Sequence, residues 1–207
     1  MYLSRIEVDL KSRGAMRAMD NPEILHGMIE SCFSEDHERT LWRMDTLNEK
    51  KYLLLLSREK PDLIPLDRQI GMPGSSLETK DYQPLLDRIK AGSIWHFRLV
   101  ANPVKSVMEP GEKRGSLKAI TIASQQREWL ERQSGKHGFL LAPKMYDVVQ
   151  SEWRNFRNKG RNVSILSVSF EGILTVSDEA AFLKMMQNGL GRGKAYGMGL
   201  MTVVSHE

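Results

Sequence analysis

Residues 2–10, YLSRIEVDL, alternate apolar and polar side chains well enough to predict a half-buried β-strand. The next periodic stretch, NPEILHGMIESCFS (21–34), repeats at helical spacing instead. Leu25, Met28, Ile29 and Cys32 fall on one face and are expected in the core. Its start carries the chemistry of helix initiation. Asn21 can cap the first free amides, Pro22 suits the first helical position, and Glu23 favours the positive end of the dipole. RTLWRMD (39–45) and KYLLLLS (51–57) flank the turn-like TLNEK and predict a hairpin. Pro and Gly crowd residues 58–76, predicting irregular chain, and DYQPLLDRIK (81–90) predicts a short helix before a boundary at AGS (91–93).

The second half opens on IWHFRLVANPVKSV (94–107), a long strand with Trp95, Phe97 and Leu99 on one face and His96 and Arg98 on the other. Pro103 cannot donate to a ladder, so it must end the pairing or lie at an edge. A turn and returning strand follow at 109–122, then a polar helix at 124–136 stopped by Gly135. The basic stretch 146–162 reads as extended or looped. A strand at 163–176, a helix at 178–189 closed by Gly189 and a strand at 197–205 complete the chain. This order fits an α+β fold of two tandem ferredoxin-like (RRM-like, βαββαβ) domains, 1–90 and 94–207, although no sequence repeat relates them.

Composition narrows the setting. Hydrophobic residues make up 41% of the 207, enough for a real core. The longest apolar run, YLLLL at 52–56, is far too short to span a membrane, and the start MYLSRIEVDL is not a secretory signal. A single cysteine, Cys32, excludes an internal disulfide and a multi-cysteine zinc site. These features predict a cytoplasmic protein with no membrane partner. The net charge of +4 is unevenly spread: residues 98–161 hold 13 Lys and Arg against 6 Asp and Glu. One surface is therefore expected to meet a polyanion, with nucleic acid and a merely solvated basic face both open.

The glycine-rich stretch NGLGRGKAYGMGLMTV (188–203) invites comparison with nucleotide-binding loops and fails them. A dinucleotide fingerprint needs Gly at i, i+2 and i+5 followed by a helix; no glycine here satisfies all three, and a strand follows. A phosphate-binding P-loop needs Gly-Lys-Ser/Thr after an earlier Gly, but Ala195 follows Gly193-Lys194 and Asn188 stands in the first glycine's place. A loop whose glycines permit close packing and a loop that meets phosphate through its amides, Arg192 and Lys194 are the two readings left.

Several segments in fixed order resemble a known family: MYLSRI at the start, NPEILH on the first helix, FRLVANPVK (97–105), REWLER (127–132), FEGILTV (170–176) and GLGRGKAYGMGLMTV (189–203). Together they are similar to the CRISPR-associated repeat-RNA endoribonucleases of the CasE (Cse) type, nearly end to end. The resemblance implies two ferredoxin-like domains and a metal-independent enzyme without a cofactor. It implies binding of the CRISPR repeat stem-loop, cleavage at the 3′ base of the stem, retention of the guide RNA and membership of the type I-E Cascade complex. The protein alone is expected to be a monomer.

The resemblance places the catalytic histidine at His26. By helical geometry His26 falls about 100° from Leu25, on the flank of the buried stripe. RNA supplies its own nucleophile, the 2′-hydroxyl, so attack gives a 2′,3′-cyclic phosphate and a 5′-hydroxyl. The enzyme has to align groups, move protons and stabilise the charged phosphorane. Imidazole titrates near neutrality and suits proton transfer, with acid and base roles both open. Some relatives carry a tyrosine shortly before this histidine; here Glu23, Ile24 and Leu25 precede it, leaving Tyr196 and Tyr146 as substitutes. Arg157, Lys159 and Arg161 are the candidates for charge stabilisation. Arg127, Arg132 and Lys136 are candidates for tracking an A-form stem, which is recognised by shape and phosphate. Lys105 and Lys118 are weaker, and His96 and Arg98 are expected to be structural. Arg192 and Lys194 are assigned to RNA phosphate, with the catalytic centre expected elsewhere, at His26.

Overall fold

The computed structural model describes residues 1–108, 115–158 and 160–206. It contains two four-stranded antiparallel sheets, one drawn from residues 2–81 and one from 94–205. In the first, β1 (Tyr2–Glu7) lies between β3 (Lys50–Ser57) and β4 (Glu78–Asp81), and β2 (Leu41–Leu47) flanks β3. Helices α1 (Arg13–Asp20) and α2 (Pro22–Glu30) join β1 to β2, and α3 (Ile64–Ile70) joins β3 to β4. A single turn, α4 (Gln83–Leu86), leads to the second sheet. There β5 (Ile94–Ala101) is central, with β10 (Met201–Ser205) on one side, β9 (Arg161–Val176) on the other and β8 (Phe139–Asn158) outside β9. The connections are α5 (Ala123–Ser134) and α6 (Glu179–Asn188), and a small hairpin, β6 (Val104–Val107) with β7 (Ser116–Ala119), is inserted after β5. If strands are counted within each unit, both sheets read 4-1-3-2, the βαββαβ ferredoxin-like arrangement.

Local chemistry accounts for most of these elements. Asn21 accepts from the Glu23 amide at 3.0 Å to cap α2, with Pro22 in its first turn. Leu25, Ile29 and Cys32 are buried and Met28 packs beside them. The β2–β3 connection is a two-residue turn in which Asn48 and Glu49 both have positive φ, 48° and 64°. β5 stops at Ala101, just before Pro103. α6 is capped by Asp178, which accepts from Ala181, and ends on Gly189 with φ 73°.

Three elements depart from the sequence reading. α1 has no large apolar stripe; its buried face consists of Ala15 and Ala18, and Ser12 caps it. Within the Pro- and Gly-rich stretch, α3 forms with Pro65 in its first turn, where a proline removes no helical hydrogen bond. β4, the polar ETKD, is defined only by its pairing with β1. The basic stretch 146–162, read as extended or looped, is extended in its described residues, forming the far end of the long β8–β9 hairpin. The turn expected near 109–114 lies outside the described residues.

The core does not respect the boundary between the sheets. Leu41, Leu56, Tyr82, Leu86 and Ile89 pack with Trp95, Phe97, Phe170 and their neighbours in one cluster. Arg43, only 1% exposed, crosses the same junction. It donates to the Arg98 carbonyl at 3.0 Å, the Leu200 carbonyl at 2.9 Å and Thr202 Oγ1 at 2.8 Å, while Asp45 takes its other two bonds. A buried guanidinium is tolerable only when its charge and donors are satisfied in this way. Among the described residues, no helix is long and apolar enough to cross a membrane.

Candidate active site

α2 and the glycine-rich loop, near opposite ends of the chain, form the two walls of one cleft. At the start of α2, the Asn21 side-chain amide donates to the Arg157 carbonyl at 3.0 Å while its oxygen caps the helix. One side chain thus fastens the helix to the end of the β8–β9 hairpin. His26, one turn further on, keeps 36% of its side chain exposed. Opposite it, residues 194–196 form a single 3₁₀ turn between Gly193 and Gly197, both left-handed. Gly197 has φ 78°, and a Cβ there would lie 2.4 Å from the Trp42 ring, so only glycine lets the loop rest on that buried indole. The loop's glycines are thereby largely explained by packing.

His26, Arg39, Thr40, Arg192, Lys194 and Tyr196 line the resulting cleft, about 420 Å³ in volume. The sequence reading set His26 apart from the glycine loop, and the fold corrects that separation. His26 and the loop cations share one site, because a contact between the two units brings α2 onto the loop. Tyr196 is fixed by Asn158, whose side-chain amide donates to its hydroxyl at 2.8 Å, and by Phe156, 4.8 Å away between ring centroids. Phe156 itself packs with Val100, Ile165 and Met198 beneath the loop.

The electrostatics of the cleft are one-sided. Arg39 and Arg192 are exposed and Lys194 half-buried, and none has an acidic partner among the described residues. Burial holds Lys194 below the ordinary lysine range, and the nearby Arg39 charge adds to that. His137 is likewise held low, first by burial and then by Lys136 and Lys194. Arg157 and Arg161, at the hairpin end, are exposed and also unpaired. Lys159 lies outside the described residues.

The remaining candidates are placed elsewhere. Arg127 pairs with Asp147 at 2.8 Å and lines a separate cavity with Tyr146. Arg132 lies 3.9 Å from Glu128 on the same helix. Tyr146 bonds Glu131, and burial together with that carboxylate pushes its hydroxyl well above the usual phenol range. It is not in the His26 cleft, which leaves Tyr196 as the phenol beside the histidine. His96 bonds His206 at 2.8 Å, and Arg98 pairs with Glu171 and Asp45. Lys105 and Lys118 face each other across the β6–β7 pair. Sequence reasoning missed Arg39 and Thr40, because their only signal is position beside a strand whose neighbours are fixed by folding.

Residues 1–204 match the family described as CRISPR associated protein. The CRISPR-associated endoribonuclease Cse3 of Thermus thermophilus is 31% identical over 98% of this chain and 99% of its own length. The Cascade subunit CasE of Escherichia coli is 29% identical over 56% of this chain and 60% of its own length. Among solved structures, CRISPR endoribonuclease Cse3 bound to a 19-nucleotide RNA superposes with a TM-score of 0.84. It is 28% identical and covers 99% of this chain and 100% of that one. Thermus thermophilus Cse3 bound to an RNA representing a pre-cleavage complex gives 0.82 at 27% identity, covering 98% of both chains.

Proposed function

The chain belongs to the CRISPR-associated protein family, in its Cse3/CasE type, and we propose that it is the endoribonuclease that cuts CRISPR repeat transcripts into guide RNAs. The observation that carries this reading is the cleft in which one imidazole, His26, faces three unpaired cations, Arg39, Arg192 and Lys194. A proton-transfer group set against cations is what phosphodiester cleavage by an internal nucleophile requires. The 2′-hydroxyl attacks the adjacent phosphorus, the O2′–P bond forms and the P–O5′ bond breaks. The products are a 2′,3′-cyclic phosphate and a 5′-hydroxyl, with no metal needed to supply the nucleophile. His26 moves a proton at the O2′ or O5′ end of this line. The three cations offset the charge gathering on the phosphoryl oxygens. Tyr196, which lines the same cleft, takes the part of the tyrosine missing before His26 in this reading.

In this reading Arg157 and Arg161 extend the cationic track from the cleft along the hairpin, and Lys159 also contributes charge to RNA binding. Arg127 and Arg132, already ion-paired, hold the stem more weakly from α5. The protein works as a monomer until it joins the other Cascade subunits in the cytoplasm, with the cut guide RNA still bound.

The test is cleavage of the cognate repeat hairpin in EDTA. Wild-type protein is expected to cut once, at the 3′ base of the stem. His26→Ala should slow cutting by about 10²–10⁴-fold, the usual share of a general acid or base, while RNA binding persists. Unimpaired cutting by His26→Ala would remove the assignment, and cutting that requires magnesium would remove the metal-independent mechanism.

A further inference from the structure

Glu30 follows His26 by one helical turn, and each of its oxygens faces an imidazole. Oε1 lies 3.5 Å from His26 Nδ1, and Oε2 lies 3.1 Å from His37 Nε2. His37 is an anchored partner. Its Nδ1 meets the Ser34 carbonyl at 2.8 Å, and its ring stacks on Phe33 with centroids 4.6 Å apart and planes 15° from parallel. Only 9% of its side chain is exposed. The carboxylate is thus held at one end by a fixed ring while its other end addresses the ring in the cleft.

His26 is itself unevenly exposed. Its Nδ1 is buried and has no hydrogen bond, yet more than a third of the side chain remains open. Nε2, by contrast, is not among the buried unpartnered atoms, and His26 lines the cleft. At 3.5 Å the Glu30 contact is ion-pair proximity rather than a formed hydrogen bond. Catalytic contacts of this kind are often long in free enzymes and tighten around substrate.

We propose that Glu30 is a positioning residue for His26, an inference that rests on the endoribonuclease reading above. Its carboxylate accepts the Nδ1 hydrogen and so selects the tautomer with its lone pair on Nε2. Nε2 is then the atom that trades a proton with the RNA, taking one from the 2′-hydroxyl or, once protonated, giving one to O5′. In either direction Nδ1 stays with Glu30. When both its ring nitrogens carry hydrogens, His37 donates from Nδ1 to the Ser34 carbonyl and from Nε2 to Glu30, and so acts one step further back by holding Glu30 in place.

An ordinary surface pair at this spacing would change helix stability and nothing else. Three readouts separate the two cases. Single-turnover cleavage at saturating repeat hairpin is measured for wild type, Glu30→Gln and Glu30→Asp. RNA affinity is measured on the same proteins. The tautomer of His26 is read from its ring ¹⁵N shifts in the free protein. Glu30→Gln is expected to cut about tenfold more slowly, part of the full acid–base contribution. Affinity should be retained, the Nδ1–H tautomer should lose population, and Glu30→Asp should recover part of the rate. Glu30→Gln cutting at the wild-type rate, or slowing with unchanged tautomer populations, would overturn the proposal. Those outcomes leave the reading of His26 intact, which only an active His26→Ala would remove.

Discussion

Gly197 shows how much a single position decides in this cleft. Its φ of 78° disfavours any side chain, and an added Cβ would collide with the buried ring of Trp42. Gly191, in the same loop with φ 79°, meets Trp129 only at an ordinary 3.5 Å. Gly197→Ala is therefore expected to cost about 2–4 kcal/mol, combining backbone strain with overpacking. Gly191→Ala should cost only about 1–2 kcal/mol, for strain alone. Urea unfolding of the two variants measures the difference, and only the first should also slow cleavage by shifting Lys194 and Tyr196. His137 makes a second argument at this scale. With its folded value below 6.5, the native state binds fewer protons than the unfolded chain just under that pH. Stability then rises with pH through this window and is lost as pH falls below it. His137→Gln should flatten that slope, seen in denaturation midpoints between about pH 5 and about pH 7.

At the scale of elements, the distinction that matters is between cations with and without partners. The loop and hairpin cations Arg192, Arg157 and Arg161 are unpaired among the described residues, whereas α5 presents Arg127 and Arg132 already facing carboxylates. Releasing counterions from a phosphate contact changes the salt dependence of binding by about 0.7–0.9 in the log–log slope. Arg192→Gln is expected to reduce the slope for repeat RNA by about that amount. Arg132→Gln should change it by less, because Glu128 already offsets its charge. Fluorescence anisotropy across a salt series distinguishes them. The same scale shows what patterning could reveal. α2 was legible because its apolar stripe, cap and first-turn proline agree, and α6 because its cap and terminal glycine do. α1 was hidden by a buried face made of alanines, and β4 by a polar composition that only pairing with β1 turns into a strand.

For the whole molecule, the junction between the sheets is the structure's main commitment. We take 1–90 and 94–207 as the two units, yet first-unit side chains complete the second unit's core, and Arg43 spans the seam. Arg43→Met would leave two carbonyls and much of Asp45 without a buried donor. It should cost about 3–5 kcal/mol, the range for removing one partner of a buried charge pair. Thermal or urea unfolding measures that loss, and a junction that is opened should lose cleavage together with stability. The cleft depends on the same seam, since its histidine comes from one unit and its loop cations from the other.

The sequence makes legible the class of fold, the frame of α2, and the family through segments spread along nearly the whole chain. It also excluded a nucleotide cradle at 188–203, because those properties depend on local period, cap chemistry and spacing. What it could not carry was the meeting of His26 with the loop residues Lys194 and Tyr196. Such contacts are decided by how two sheets pack, and neither periodicity nor composition encodes a distance between residues so far apart in the chain. The glycines of 188–203 belong to both accounts: their number is visible in the sequence, but their reason, a loop pressed on Trp42 to face a histidine, exists only in the fold.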